Sequence, residues 1–67
     1  MRTLDKNELE TLTLFANGKS AEEIAASLKV SKSSVRNYLI VAARKLGARN
    51  PAHAVAIAVS SGLIKFK

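Results

Sequence analysis

The sequence of 67 residues predicts an all-α fold, a compact domain of four short helices. Three observations support this fold class. Apolar residues recur at intervals of three and four, which is the period of a helix. A residue that favours a helix N-terminus precedes each apolar segment, and glycine follows three of the four segments. A chain of this length forms one domain, and no β pattern or repeat competes with the helices.

The first helix begins after Asp5, which we interpret as its N-cap residue. Glu8 stands three residues later and completes a capping box, while Leu4 and Leu9 occupy the two positions of a hydrophobic staple. Apolar residues continue at helical spacing until Gly18, whose freedom to adopt a left-handed conformation ends the helix.

The second helix begins at Ser20, which forms another capping box with Glu23. Lys29 and Val30 then form a short turn, and Ser31 is the N-cap residue of the third helix. Turns of this kind often contain glycine, and a left-handed conformation would cost Lys29 about 1 kcal/mol. The short turn predicts two helices that cross at a steep angle, which is a helix-turn-helix unit.

The third helix, which runs to Leu46 before Gly47, has two distinct faces when it is drawn at about 100° per residue. The apolar face is expected to contact the core and consists of Val35, Leu39, Ala42, Ala43 and Leu46. The opposite face carries Ser33, Arg36, Asn37, Ile40 and Arg44.

The fourth helix begins at Asn50, has Pro51 at its first position and continues to about Ser60, before Gly62. From Ala54 to Val59 every residue is apolar. A helix that is apolar on all sides is buried on all sides, so this segment needs more than the core of one small domain.

We expect Ala54 and Ala58 to face that core, and Val55 and Val59, on the opposite side of the helix, to contact a partner. A symmetric homodimer through this helix is the simplest arrangement. The alternative is partial exposure of small residues, because alanine is tolerated well in water.

Charge is distributed unevenly along the chain, whose formal net charge is +6. Residues 1–23 contain all five acidic residues and three basic ones, whereas residues 24–67 contain eight basic residues and no acidic one. Such segregation predicts a polyanionic partner, double-stranded DNA, for the second part of the chain. The alternative is a basic surface without a partner.

The polar face of the third helix carries side chains that suit base edges in the major groove. Arg36 can bond to guanine, and Asn37 can bond to adenine. Ser33 can bond to a base or a phosphate, and Ile40 can contact a thymine methyl group. The alternatives are an ordinary solvated face for Arg36 and Asn37, and a single exposed apolar residue for Ile40.

Phosphate contacts are expected beside this face, where the N-termini of helices two and three present unpaired N–H groups. The cluster of side chains there supports the prediction better than any one member. Its members are Lys19, Ser20, Lys32, Ser34, Tyr38, Arg44 and Lys45.

Three segments of the sequence resemble the LuxR/GerE type of DNA-binding domain: LDKNELETLTLFANGKS, AEEIAASLKVSKSSVRNYL and ARKLGARNPAHAVAIA. The resemblance extends from Leu4 to about Gly62, and it is greatest to the quorum-sensing, TraR-like branch. It implies a domain that binds an inverted-repeat promoter site and dimerises through its last helix. In the family, the positions of Arg36 and Asn37 commonly contact bases, and that of Ser34 contacts phosphate.

The sequence departs from the family pattern at positions that bear on specificity. Many members have lysine where this chain has Ser33, and polar or basic residues are frequent where Ile40 and Val41 stand. The target sequence therefore cannot be taken from a relative. Most relatives also have an N-terminal sensor domain, so we expect this chain to be either the effector domain of a longer regulator or a naturally short regulator.

An enzyme is not expected, because one histidine, one tyrosine and no cysteine provide no pair of nucleophile and base. The carboxylates are expected in helix caps or on solvated faces, and His53 on the surface. No cofactor and no metal site is predicted. The absence of cysteine suits a reducing compartment, and no segment approaches the ~20 apolar residues that span a bilayer. We therefore expect a cytoplasmic protein without membrane contact.

Two other functions stay open at this point. The domain could be a protein-interaction module that heterodimerises with a related regulator and has lost specific DNA binding. Exposure of Ile40 and Val41 would favour that module, whereas Arg36 and Asn37 oppose it. The domain could also read a promoter element as part of a sigma-like factor, which the RKLG segment and the small residues of helix four disfavour. We predict the DNA-binding domain of a bacterial transcription regulator.

Overall fold

The computed structural model describes residues 4–65 and consists of four α-helices joined by short turns. No strand occurs among these residues, so the predicted all-α class is confirmed. The helices are α1 Lys6–Ala16, α2 Ala21–Leu28, α3 Lys32–Lys45 and α4 Pro51–Ser60. Helix α1 packs against the other three, and α3 packs against α2 and α4.

Each helix begins at its predicted N-cap residue, and these are Asp5, Ser20, Ser31 and Asn50. The side chain of Asn50 shows the mechanism, because its Oδ1 accepts the backbone N–H of His53 at 2.8 Å. That bond satisfies one of the N–H groups that the first turn of a helix leaves without a partner. The sequence signals for helix initiation are therefore confirmed.

Three helices end at the predicted glycines, which are Gly18, Gly47 and Gly62. At the end of α3, Gly47 has a φ of +71°, and the N–H of Ala48 donates to the carbonyl oxygen of Ala43 at 2.8 Å. This is the Schellman arrangement, which satisfies carbonyl groups of the last turn. Helix α2 ends in the same way at Lys29, whose φ of 59° and ψ of 44° are left-handed, so this lysine takes the conformation that glycine usually supplies.

One apolar core joins the four helices, with Leu12, Ile24 and Val35 fully buried at its centre. The face of α3 predicted to contact the core does so, through Val35, Leu39, Ala42 and Ala43, with Leu46 packed at the edge. Ala54 and Ala58 of α4 are fully buried, as predicted. Ile64, which follows α4, also belongs to the core, although the helical pattern ends before it.

The prediction that Val55 and Val59 lie opposite Ala54 and Ala58 on α4 is wrong. Both side chains are half-buried and pack against the core, so they do not lie directly opposite Ala54 and Ala58. A step of about 100° per residue places them on the flank of the helix instead. The most exposed line of α4 consists of small residues one turn apart, and these are Ala52, Ala56 and Ser60.

Candidate nucleic-acid interface

The predicted reading face of α3 is present as one exposed surface. Its members, Ser33, Arg36, Asn37, Ile40 and Arg44, are all exposed. The turn that precedes α3 consists of only three residues, 29–31, and Ala25 of α2 is buried at the crossing. The core stripe on one side of α3 therefore fixes which side chains face outward.

Two side chains of this reading face, Ile40 and Arg36, are held neither by burial nor by an ion pair within the described part of the domain. The side chain of Ile40 is 52% exposed, and no carboxylate of residues 4–65 lies within ion-pair distance of Arg36. Val41, however, is half-buried, so the expectation that Ile40 and Val41 are exposed together is wrong for Val41. Ile40 is therefore the one exposed apolar side chain of the reading face.

The N-termini of α2 and α3 are each capped by a serine, and their first turns lie close together. Ser31 Oγ accepts the N–H of Ser34 at 3.1 Å and lies 3.0 Å from Ser34 Oγ, so the Ser34 hydroxyl is already hydrogen-bonded. Lys32 Nζ lies 3.8 Å from Glu22 Oε1. Both side chains are largely exposed, and such pairs are weak and screened by salt. The Lys32 ammonium therefore stays available to an anion.

Glu23, at the N-terminus of α2, is an electrostatic feature of the same region. The backbone and side chain of Ser20 both hydrogen-bond this carboxylate, and they lower its pKa from the ordinary value of 4.5. The carboxylate accepts the Ser20 N–H at 2.8 Å. Glu23 is thus ionised, and its carboxylate caps the N-terminus of its own helix.

Lys45 lies in surroundings that differ from those expected of a phosphate ligand. Its Nζ is 2.8 Å from Glu8 Oε1 and 3.9 Å from Asp5 Oδ1, so the ammonium is directed at α1. Glu8 is only 5% exposed. Glu8 therefore lies in a helix cap, as expected for the carboxylates, and is buried as well. Because its ammonium is paired with the carboxylates of Glu8 and Asp5, Lys45 is not proposed as a phosphate contact.

The ion pair shifts the pKa of both partners. Burial acts to raise the pKa of Glu8, but hydrogen bonds from Lys45 and from the Asp5 backbone, together with the Lys45 charge, hold it below 4.5. The hydrogen bond to Glu8 raises the pKa of Lys45 above 10.5. Both groups are therefore charged at neutral pH, and each satisfies the other.

Tyr38, another predicted phosphate ligand, is half-buried, and its Oη accepts a hydrogen bond from Asn7 Nδ2 at 3.4 Å. Sequence reasoning missed Asn7, because an exposed asparagine in a first turn carries no signal for a contact with a residue 31 positions away. It also missed the second role of Glu8, because the capping box already explained that residue.

His53 is exposed, as expected, and its Nδ1 accepts the backbone N–H of Arg49 at 3.1 Å. It acts as part of the cap of α4 and not as a site residue. Among residues 4–65 no cluster of His, Cys, Asp or Glu has the arrangement of a metal site. None of the helices in that range is long and apolar enough to cross a membrane.

The comparison with known families matches residues 2–58 to the GerE family, the bacterial regulatory proteins of the luxR family. The chain is 48% identical over 59 residues to the response regulator RamR of Streptomyces coelicolor, covering 88% of this chain and 29% of RamR. It is 45% identical over 62 residues to the quorum sensing-dependent regulator RpaR of Rhodopseudomonas palustris, covering 92% of this chain and 26% of RpaR. The chain therefore spans less than a third of the length of these relatives.

Solved structures agree with the sequence relatives. The fold superposes on the transcription factor GerE with a TM-score of 0.90 at 26% identity, covering 96% of both chains. It superposes on Vibrio cholerae VqmA, which is described as a dimer and a LuxR-type receptor, with a TM-score of 0.89 at 25% identity. That match covers 97% of this chain and 30% of VqmA. Members of this family are DNA-binding regulators and not enzymes, which confirms that prediction for the domain. The chain belongs to the luxR family of bacterial regulatory proteins, and it is a helix-turn-helix DNA-binding domain of a transcription regulator.

Proposed function

We propose that the domain reads the major groove of an inverted-repeat promoter site with α3, as a homodimer. The observation that carries this proposal is the reading face of α3, where Arg36 and Asn37 are exposed side by side on a helix without any acidic residue. An α-helix fits the major groove, and these two side chain types match purine edges there.

The proposed base contacts follow from the chemistry of each side chain. Arg36 bonds to guanine and Asn37 to adenine, while Ser33 bonds to a base or a phosphate and Ile40 packs on a thymine methyl group. Helix N-termini and basic side chains hold the backbone on either side. The proposed phosphate contacts are Lys19, Ser20, Lys32, Ser34 and Arg44, and Tyr38 is left out because its hydroxyl is bonded to Asn7.

Dimerisation through α4 is the second part of the proposal. The exposed line Ala52, Ala56 and Ser60 consists of small residues, so two such helices can approach closely, and the half-buried Val55 and Val59 flank that line. A two-fold axis at α4 would place two copies of α3 on successive half-sites, which is how symmetric readers bind palindromic DNA. The dimer described for VqmA supports this part of the proposal.

A longer regulator is the proposed context, with a sensor domain in another part of the polypeptide and action in the cytoplasm. The resemblance to the quorum-sensing branch stays a prediction, because the relatives include both RamR, a response regulator, and RpaR, a quorum sensing-dependent regulator.

A protein-interaction module is the alternative, and the observation that favours it is the 52% exposure of Ile40. In that case the reading face of α3 would contact a related regulator, and affinity for DNA would be independent of sequence.

Selection of bound duplexes from a random pool at physiological salt tests the proposal. We expect an inverted repeat to be recovered, with half-sites about one helical turn apart. Recovery of no motif, with retention that only falls as salt rises, would leave non-specific phosphate attraction and would support the interaction module.

A further inference from the structure

We propose that the first turn of α1 is a positioning element that sets the rotation of α3 in the DNA groove. Glu8 acts through Lys45, and Asn7 acts through Tyr38. The inference rests on the proposed reading of DNA by α3. None of these four side chains is assigned to a base.

The Glu8 carboxylate connects two parts of the fold. Its Oε1 accepts the Lys45 ammonium at 2.8 Å and the backbone N–H of Asp5 at 3.0 Å. Because Glu8 is 5% exposed, water competes little for these bonds. The last turn of α3 is thereby attached to the N-terminus of α1.

A second attachment lies two turns earlier on α3, where Tyr38 Oη accepts from Asn7 Nδ2 at 3.4 Å. Tyr38 and Lys45 are seven positions apart and so lie within about 20° of the same line along the helix. Two attachments on one line restrain both the tilt of α3 and its rotation about its own axis.

This line lies on the side of α3 away from the reading face. On the same helical wheel four members of the reading face, Arg36, Ser33, Ile40 and Arg44, fall about 160–240° from Tyr38, and the fifth, Asn37, falls about 100° from it. A contact on this line therefore leaves the reading face free for DNA. The contact restrains the position of the reading face from the other side of the helix.

Small rotations matter at the surface that reads bases. Side-chain tips lie about 5–6 Å from the helix axis, so a rotation of about 10° moves them by about 1 Å. Hydrogen bonds to base edges tolerate only a few tenths of an ångström. Between Leu39 and Leu46 the core contacts of α3 are Ala42 and Ala43, whose methyl groups interlock less than longer side chains do. The attachments to α1 supply the missing restraint.

The test compares affinity for the selected inverted repeat with affinity for a random duplex at one salt concentration. For Glu8→Gln and for Asn7→Ala we expect operator affinity to fall at least fivefold, with random-duplex affinity unchanged within about twofold. Glu10→Gln is the matched control, because Glu10 is an exposed carboxylate of α1 that forms no ion pair with α3 among residues 4–65. Lys45→Arg, which keeps the charge pair, should retain the wild-type ratio.

The ratio of the two affinities separates positioning from mere stability. Loss of folded protein lowers both affinities together and leaves the ratio unchanged, so the ratio moves only if α3 is displaced. Asn7 is exposed, so Asn7→Ala keeps the test valid even if Glu8→Gln unfolds the domain. An unchanged ratio in both variants, with an operator in hand, would overturn the positioning role alone. Failure to select any operator would overturn the proposed function, and the positioning role with it.

Discussion

The backbone N–H of Val30 donates to the carbonyl oxygen of Ala25 at 3.0 Å and closes helix α2 around a left-handed residue that is a lysine. Lys29, with its φ of 59°, is the one non-glycine residue with positive φ among residues 4–65. Its Cβ makes that conformation unfavourable. The turn between α2 and α3 therefore holds strain that a glycine would not.

Lys29→Gly should stabilise the domain by about 0.5–1 kcal/mol, because relief of the left-handed strain exceeds the added entropy of glycine in the unfolded chain. Urea denaturation measures the change. Gly47→Ala is the matched control, since a Cβ at that position would meet no atom within 4 Å and only the φ of +71° opposes it. It should destabilise by about 1 kcal/mol. A Lys29→Gly variant less stable than wild type by about the entropy of glycine would show that the turn is unstrained.

Thr11→Val should also stabilise the domain. The Thr11 side chain is fully buried and its Oγ1 has no hydrogen-bond partner. Replacing an unsatisfied hydroxyl with a methyl group of the same shape should add about 1 kcal/mol to the free energy of unfolding. Thermal denaturation would show this as a rise of about 4–8 °C for a domain of this size.

Thr13→Val serves as the control for that change, because Thr13 Oγ1 donates to the carbonyl oxygen of Leu9 at 2.8 Å. Removing a hydroxyl that is already paired should bring no gain. If both variants gained equally, β-branched hydrophobicity and not the unsatisfied hydroxyl of Thr11 would be the cause.

Acid should weaken the domain in part through Glu8. The folded-state pKa of this residue is lowered from 4.5, so its contribution to stability is complete above that value and is lost as pH falls through the folded pKa. In Glu8→Gln the fall in the urea midpoint below pH 4.5 should be shallower than in wild type. The contribution of Glu23, whose pKa is also lowered, should remain in that variant. Identical slopes would mean that the ion pair with Lys45 adds nothing to folding.

Arg36→Ala and Lys19→Ala should weaken DNA binding in different ways. Loss of a base contact at Arg36 should cost about 1–3 kcal/mol on the operator and relax the preference at one base position. Loss of a phosphate contact at Lys19 should weaken all sequences alike and reduce the salt slope by about 1. Repeating the duplex selection with each variant measures both effects. Unchanged affinity and preference in Arg36→Ala would remove that residue from base reading.

Ala56→Asp should abolish cooperative binding to two half-sites, because two carboxylates would meet on the exposed line of α4. Val59 is a poorer choice for this test, since its half-buried side chain also packs on the core. Affinity for a duplex with a single half-site is the internal control and should change less than about twofold. Cooperativity that survives the substitution would place the dimer contact elsewhere.

Helix boundaries could be predicted because their signals are local. Asp5, Ser20, Ser31 and Asn50 act on N–H groups within the next turn, and the glycines that follow three helices act on the turn before them. The same holds for the reading face of α3, whose direction is fixed by the apolar stripe opposite to it. For the left-handed conformation of Lys29 the only sequence signal is that such turns often contain glycine.

Contacts between distant residues could not be predicted in this way. Lys45 stands beside Arg44 in the sequence, and only the crossing of α1 and α3 shows that its ammonium reaches Glu8. How far Val55 and Val59 are buried depends on how deeply α4 lies in the core, which a run of apolar residues leaves undefined. The contact of Asn7 with Tyr38 likewise depends on how α1 and α3 cross.

The local encoding of the helix ends also bears on how fast the domain forms. Each helix carries its own start and stop signals, so its first contacts form within the helix itself. Small helical domains that are rich in such local contacts fold within microseconds to milliseconds. Synthesis adds only about 5–20 residues per second, so this domain folds much faster than its chain is made.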